Sequence, residues 1–337
     1  MGLMSMLTNP RWFVAVSVII ALLATACGSG DNDGGGADGA QSGTPSTVAS
    51  LSDAGVQVVA TTTIIADMAR EIAGDRAAVV SLLPVNADPH DFEATPRDVE
   101  AVADADLVLE HGLSLDSWTE GLVDESGTEA PVVTVTDGID LIAGSNSDEE
   151  GMQADDDREN MDPHVWFDVR RAKVMVDNIR DALIDVDPDG REAYEANTAT
   201  YQAELDELHG WIQEQIATIP EENRKMVTTH DAFGYYVDTY GLELVGTVIP
   251  SLDSQAQPSA GETSALIDAI QEQNVRAIFV EAALNPELAE QIASEAGVEI
   301  VDTLYGDALA PEGSGAETYI GLMRTDTEII VEALTGE

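Results

Sequence analysis

At 337 residues the chain exceeds one ordinary domain and fits two of roughly 150 residues with extras, and its 44% hydrophobic content suffices for sizeable cores. Sixty-four acids stand against 14 bases, of which only Lys173 and Lys225 are lysines, so the formal net charge is −50. Such a surface repels nucleic-acid phosphates and anionic headgroups, which excludes nucleic acid as a partner; it attracts cations, yet solubility in a salty medium asks for the same composition, so acidity alone defines no metal site.

The first element is an apolar run, "WFVAVSVIIALLATA" (Trp12 to Ala26), preceded by Arg11. It is too short for a membrane span and has the length of a signal-peptide core. It closes on "LLATAC", which resembles a bacterial lipobox and implies that residues 1–27 are a lipoprotein signal peptide. Cys27 is then the lipidated first residue of the mature chain, anchored at the outer face of the cell membrane. As the single cysteine it also excludes an intramolecular disulfide. Residues 28–55, rich in Gly, Ser and Asp, cannot bury a core and read as a flexible tether reaching on the order of 30 Å.

From Val56 the pattern becomes α/β. "VQVVATT" reads as a buried strand and "IIADMAREIAG" as a helix closed by glycine. "AAVVSLL" is a second strand, and the loop that follows it carries His90. Thr95-Pro96 opens a helix, with threonine as N-cap and proline in the first turn. "DLVLE" and "PVVTV" are further strands. The acidic run 144–162 lacks apolar periodicity and is expected to be a mobile loop. Asp168 to Val186 reads as a helix, and these elements make an N-terminal α/β lobe over 56–187.

A longer helix is expected over 188–219. Its apolar residues Tyr194, Tyr201, Leu205, Leu208, Ile212, Ile216 and Ile219 are three, four or seven apart and form one stripe, as in a strut between two lobes. The α/β pattern then resumes over 220–337. "KMVTT", "LELVGTV", "AIFVE" and "VEIVDTL" are strands, and Asp231 is placed to cap the helix after His230. Strands alternating with helices imply parallel sheets, whose ligands gather beyond the carboxyl ends of the strands. His90, His230, Glu281 and Asp307 all fall just after strands.

Neutral imidazole and carboxylate together suit borderline divalent ions. The tripeptide Asp-Pro-His occurs at His90 and again at His164, and each proline restricts the approach of the chain. His230 ends a strand in "TTHDAFGYY". His111 reads as satisfying a loop and His209 as solvated on the long helix. There is no HExxH and no CxxC, so no compact metal motif exists, and spacing alone leaves open whether the three histidines converge.

The stretch from "VATTTIIADMAREIAGD" through "PVNADPHDFEATPRDVE" to "DLVLEHGLSLDSW" resembles the opening of the zinc/manganese solute-binding proteins of ABC importers, a family that includes adhesin-type surface lipoproteins. "DPHVWFD", "TTHDAFGYY", "FVEAALNP" and "LYGDAL" resemble its later motifs, in order, up to Glu337. The resemblance implies two (β/α) lobes joined by a long rigid helix, with one metal ion between them. It implies His90, His164, His230 and Asp307 as ligands and Glu281 as a supporting acid, with Gly306 permitting the turn before Asp307. The bound ion would be Zn2+, or next Mn2+, carried as transport substrate to an ABC permease and its ATPase by a monomeric protein that is not an enzyme. Where many zinc-binding members have a histidine-rich loop, this chain has the acidic run instead, which weighs toward harder ions. The rival readings are a metal-dependent hydrolase with three histidines and Glu281 beside a metal-bound water, and an adhesin-type lipoprotein with a structural metal.

Overall fold

The computed structural model describes residues 55–144 and 161–336. The expected signal peptide with Cys27, the expected tether up to residue 54, and residues 145–160 of the acidic run lie outside them.

Two four-stranded parallel sheets organise the chain. The first contains β1 (Val56–Ala60), β2 (Ala77–Ser81), β3 (Leu107–Glu110) and β4 (Val132–Thr134), ordered β2-β1-β3-β4. The second contains β5 (Lys225–Thr228), β6 (Glu243–Thr247), β7 (Ala277–Glu281) and β8 (Glu299–Leu304), ordered β6-β5-β7-β8. Parallel pairing requires a crossover after each strand. The first sheet uses α1 (Thr63–Ala73), α2 (Pro96–Ala103) and α3 (Trp118–Ser126), with α4 (Val169–Val186) following β4; the second uses α6 (Gly234–Tyr240), α7 (Ala260–Gln273) and α8 (Glu287–Ala296), and α9 (Tyr319–Thr335) ends the chain.

The central strands bury both faces, which is why they read as unbroken apolar runs. Successive side chains point to opposite sides. Val58, Ala60, Leu107 and Leu109 enter one core, while Val59 and Val108 enter a smaller one on the other face. In the second sheet Met226, Ala277 and Phe279 join the first core, while Val227, Ile278 and Val280 face α7 and α8.

The main core runs from lobe to lobe along α5 (Arg191–Ile216), which packs against α1 and α4 on one side and α6 and α9 on the other. Its buried stripe of Tyr194, Thr198, Tyr201, Leu205, Leu208, Ile212 and Ile216 keeps three- and four-residue spacing. The helix has 26 residues and, at about 1.5 Å each, spans about 39 Å. It is shorter at both ends than the apolar pattern predicts. Pro188–Gly190 form a separate tight turn, with Asp187 accepting from Tyr194 Oη (2.7 Å) and Arg76 Nε (2.9 Å). Ile219 is buried but lies beyond the helix.

Local signals elsewhere act as expected. Thr62 caps α1 by accepting from the Ile65 amide at 3.3 Å, and the Asp98 carboxylate accepts from both the amide and the hydroxyl of Thr95, each at 2.7 Å. One cap differs. Helix α6 begins at Gly234 with Phe233 at the capping position, not Asp231, whose amide is spent on the Ser251 carbonyl at 3.1 Å. Gly234 fits there because a Cβ would lie 2.7 Å from Asp162 Oδ2.

Candidate metal centre

His90 sits on a single tight turn, Pro89–Asp91, after β2, where Asp88 accepts its amide hydrogen at 2.9 Å. His164 sits on the approach to α4. Its partner Asp162 accepts the His164 amide (2.9 Å), and the same oxygen, Oδ1, lies 2.7 Å from Nδ1. His230 follows β5, with Nδ1 2.8 Å from Oε1 of Glu281, the last residue of β7. Asp307 stands on the loop between β8 and α9.

These four side chains converge. His164 Nε2 is 3.4 Å from His230 Nε2 and 3.5 Å from Asp307 Oδ1. Asp307 Oδ2 is 3.4 Å from His230 Nε2 and 3.8 Å from His90 Nε2. All four donor atoms lie within 4.8 Å of one another, and the side chains are buried, His90 at the rim with 8% exposure. His90 Nε2 and Asp307 Oδ1 are buried without a hydrogen-bond partner. Buried polar atoms are rarely left so, and these two face the same small volume.

The electrostatics follow from burial. Desolvation, joined by the charge of His230, holds the His90 and His164 imidazolium forms down. The same desolvation acts on His230, but Glu281 and Asp307 outweigh it and hold its pKa up at about 10. Burial pushes Asp307 up to about 8 despite the pull of His230, and pushes Asp162 well up. Asp162 stands behind His164 Nδ1, where it favours the tautomer with the hydrogen on that nitrogen. With that proton on Nδ1, the Nε2 lone pair points at the centre.

The Asp307 loop is held from both lobes. Tyr305 donates its amide to Asp326 Oδ1 at 3.0 Å, and Trp166 Nε1 donates to the Gly306 carbonyl at 3.2 Å. The Leu309 amide donates to Thr63 Oγ1, and the Leu309 carbonyl accepts from the Asn86 amide, both at 2.8 Å. Gly306 is needed for a reason other than a special turn. Its φ is not positive, but a Cβ there would lie 2.0 Å from Glu281 Oε2.

The remaining histidines stand apart from this cluster. His111 is buried, with Nε2 2.7 Å from the Pro163 carbonyl and its ring edge-on to Trp166; it props the second Asp-Pro-His turn. His209 is half-buried against Tyr240, Nδ1 3.1 Å from the phenol oxygen, and not solvated as the helix pattern suggests. The props His111, Trp166 and Asp326 carry no signal in sequence spacing. Asp162 does, since the repeated tripeptide contains it.

Two parallel-sheet lobes on one long helix, closing a nest of imidazoles and a carboxylate between them, define a solute-binding protein of the two-lobed α/β type. The profile of the ZnuA family, "Zinc-uptake complex component A periplasmic", matches residues 58–333, and the chain belongs to that family. It is 36% identical over 323 residues, 96% of this chain and 98% of the relative, to the manganese-binding lipoprotein MntA of Halalkalibacterium halodurans. It is 32% identical to the iron-binding protein YfeA of Yersinia pestis, covering 82% of this chain and 85% of that one. Among solved structures, the periplasmic zinc-binding protein TroA from Treponema pallidum superposes with a TM-score of 0.75 at 29% identity, covering 83% of this chain and 99% of that chain.

Proposed function

We propose that the protein captures a divalent transition metal outside the cytoplasm and delivers it to an ABC import permease driven by its ATPase, with Zn2+ favoured as cargo and Mn2+ next. His90, His164, His230 and Asp307 hold the ion, and Glu281 and Asp162 orient two of the imidazoles from behind. One observation carries this reading. Two buried, unpartnered polar atoms face a space edged by donor separations of 3.4, 3.4, 3.5 and 3.8 Å. An ion bound tetrahedrally at about 2.0–2.1 Å sets neighbouring donors about 3.3–3.4 Å apart. Membership of the family carries the import role, and the "LLATAC" motif supports a lipid anchor at Cys27 on the outer face of the membrane, on a protein that works as a monomer.

Manganese as cargo has its own support. Both oxygens of Asp307 face the imidazole nitrogens, so the carboxylate is placed to bind through both, a mode that suits harder ions. The hydrolase reading fits less well. Glu281 spends Oε1 on His230 Nδ1, the ring atom turned away from the cluster, and four protein donors leave no open position for a reactive water. The test is elemental analysis of protein purified without added metal, followed by zinc–manganese competition. Failure to retain or bind either ion would sink the proposal, and tighter manganese binding would reverse the order.

A further inference from the structure

The two Asp-Pro-His turns have the same sequence but use their carboxylates differently. Asp162 turns inward and meets both the amide and Nδ1 of its own histidine. Asp88 gives Oδ1 to the His90 amide and sends Oδ2 across the cleft. There it accepts from Ser254 Oγ at 2.5 Å and Gln255 Nε2 at 3.1 Å. Both donors belong to the loop after β6, in the other lobe.

That loop is stiffened from within and tied to the floor of the site. Gln255 Nε2 lies 3.3 Å from Ser254 Oγ, the Gln255 amide donates to Asp253 Oδ1 at 2.9 Å, and the Asp253 amide donates to Ser251 Oγ at 3.0 Å. The Ser251 carbonyl takes the amide of Asp231, the neighbour of His230. A second touch lies two residues before the pair. A Cβ on Gly144, in the first lobe, would lie 3.0 Å from the Leu252 side chain. Ser254 is 5% exposed although it sits on a connecting loop. The loop therefore crosses to the first lobe beside His90, the rim member of the cluster.

We propose that Asp88, Ser254 and Gln255 form a clasp across the cleft that governs how fast a bound metal ion leaves. The inference rests on the metal-binding reading above. His90 cannot swing away from the other three donors until Asp88, which holds its backbone, releases the opposite lobe. Ser254 and Gln255 donate to Asp88, which holds His90 through its backbone amide, so they are positioning residues for the closed cleft. Their removal should alter the lifetime of the bound state and leave coordination unchanged, consistent with affinity differences among related interfaces lying mostly in the off-rate.

The experiment compares wild type with the Ser254→Ala/Gln255→Ala double variant and with Asp88→Asn, all as full chains. Each is loaded with Zn2+ and mixed rapidly with excess chromophoric chelator, and release is followed in time. The double variant should release zinc about tenfold faster, with its association rate changed less than twofold and the visible spectrum of its Co2+ form unaltered. Asp88→Asn should also release faster, because an amide presents donors to Gln255. A double variant that releases zinc within twofold of wild type, or whose cobalt spectrum shifts, overturns the clasp alone. A wild type that takes up no zinc or cobalt overturns the metal-binding reading, and the clasp with it.

Discussion

Replacing Gly306 by alanine isolates the packing between the Asp307 loop and the acid behind His230. The new Cβ would lie 2.0 Å from Glu281 Oε2 and 3.1 Å from its Cδ, whereas real Cβ contacts essentially never fall below 3.0 Å. Something must yield by about 1 Å. Glu281 is 2% exposed and its other oxygen is engaged 2.8 Å from His230 Nδ1; the Gly306 carbonyl is held by Trp166 at 3.2 Å. If the glutamate retreats, its contact with His230 lengthens to about 3.8 Å, beyond hydrogen bonding. Losing a carboxylate that orients a metal-binding histidine costs about 10–100-fold in affinity, or about 1.4–2.8 kcal/mol. Zinc titration in competition with a chelator measures it. A double-mutant cycle locates the cause: in a Glu281→Ala background the glycine change should cost little, leaving a coupling of at least about 1 kcal/mol. Gly306→Ala binding within twofold of wild type would refute this account, as would equal losses in both backgrounds.

Two further outcomes follow. Asp307→Ala should lose most of the metal-induced stabilisation, which in wild type amounts to about 4 kcal/mol at a thousandfold excess over Kd; each variant's melts with and without zinc decide it, and a full shift in this variant with none in Glu281→Ala would move the fourth ligand to Glu281. Burial, partly offset by the Tyr319 amide, raises the Asp67 pKa from 3.8 to about 6. A raised carboxyl contributes its stability fully below the unfolded value and loses it as pH rises through the folded one. Asp67 therefore costs up to about 3 kcal/mol above pH 6. Asp67→Asn retains an acceptor for that amide and should melt higher than wild type at pH 8, with the gap closing toward pH 4; a gap independent of pH would contradict the assignment.

Much of the fold was legible because both sheets are parallel and buried. Runs such as "VQVVA" and "AIFVE" can be little else when glycine and capping residues bound them, and α5 announced itself through its tyrosine and leucine stripe. Its ends were not legible, since Ile219 continues the apolar spacing after the helix has stopped. Asp231 looks like a cap because short acids favour that position, but the helix starts three residues later, at Gly234, with Phe233 at the cap position. In the site, repetition singled out His90 and His164, and position after a strand singled out His230. Their convergence with Asp307 came only through family resemblance, because the cleft joins residues more than 200 positions apart. Gly306 was expected to serve its own backbone angle, and instead makes room for Glu281, a relation that one sequence read alone does not contain.

The loop bearing Asp307 is pinned to the first lobe through Leu309 and Thr63, 246 positions apart, and α9 begins on Asp67, 252 positions away. Contacts of such reach form after local ones, because the chain entropy of closing the loop must be met before the contact contributes. On the proposed ligand set, a nascent chain that has already made His90, His164 and His230 still lacks the fourth donor, Asp307, and the bonds that fix its loop. The set would then be complete only once the last helix docks on the first lobe.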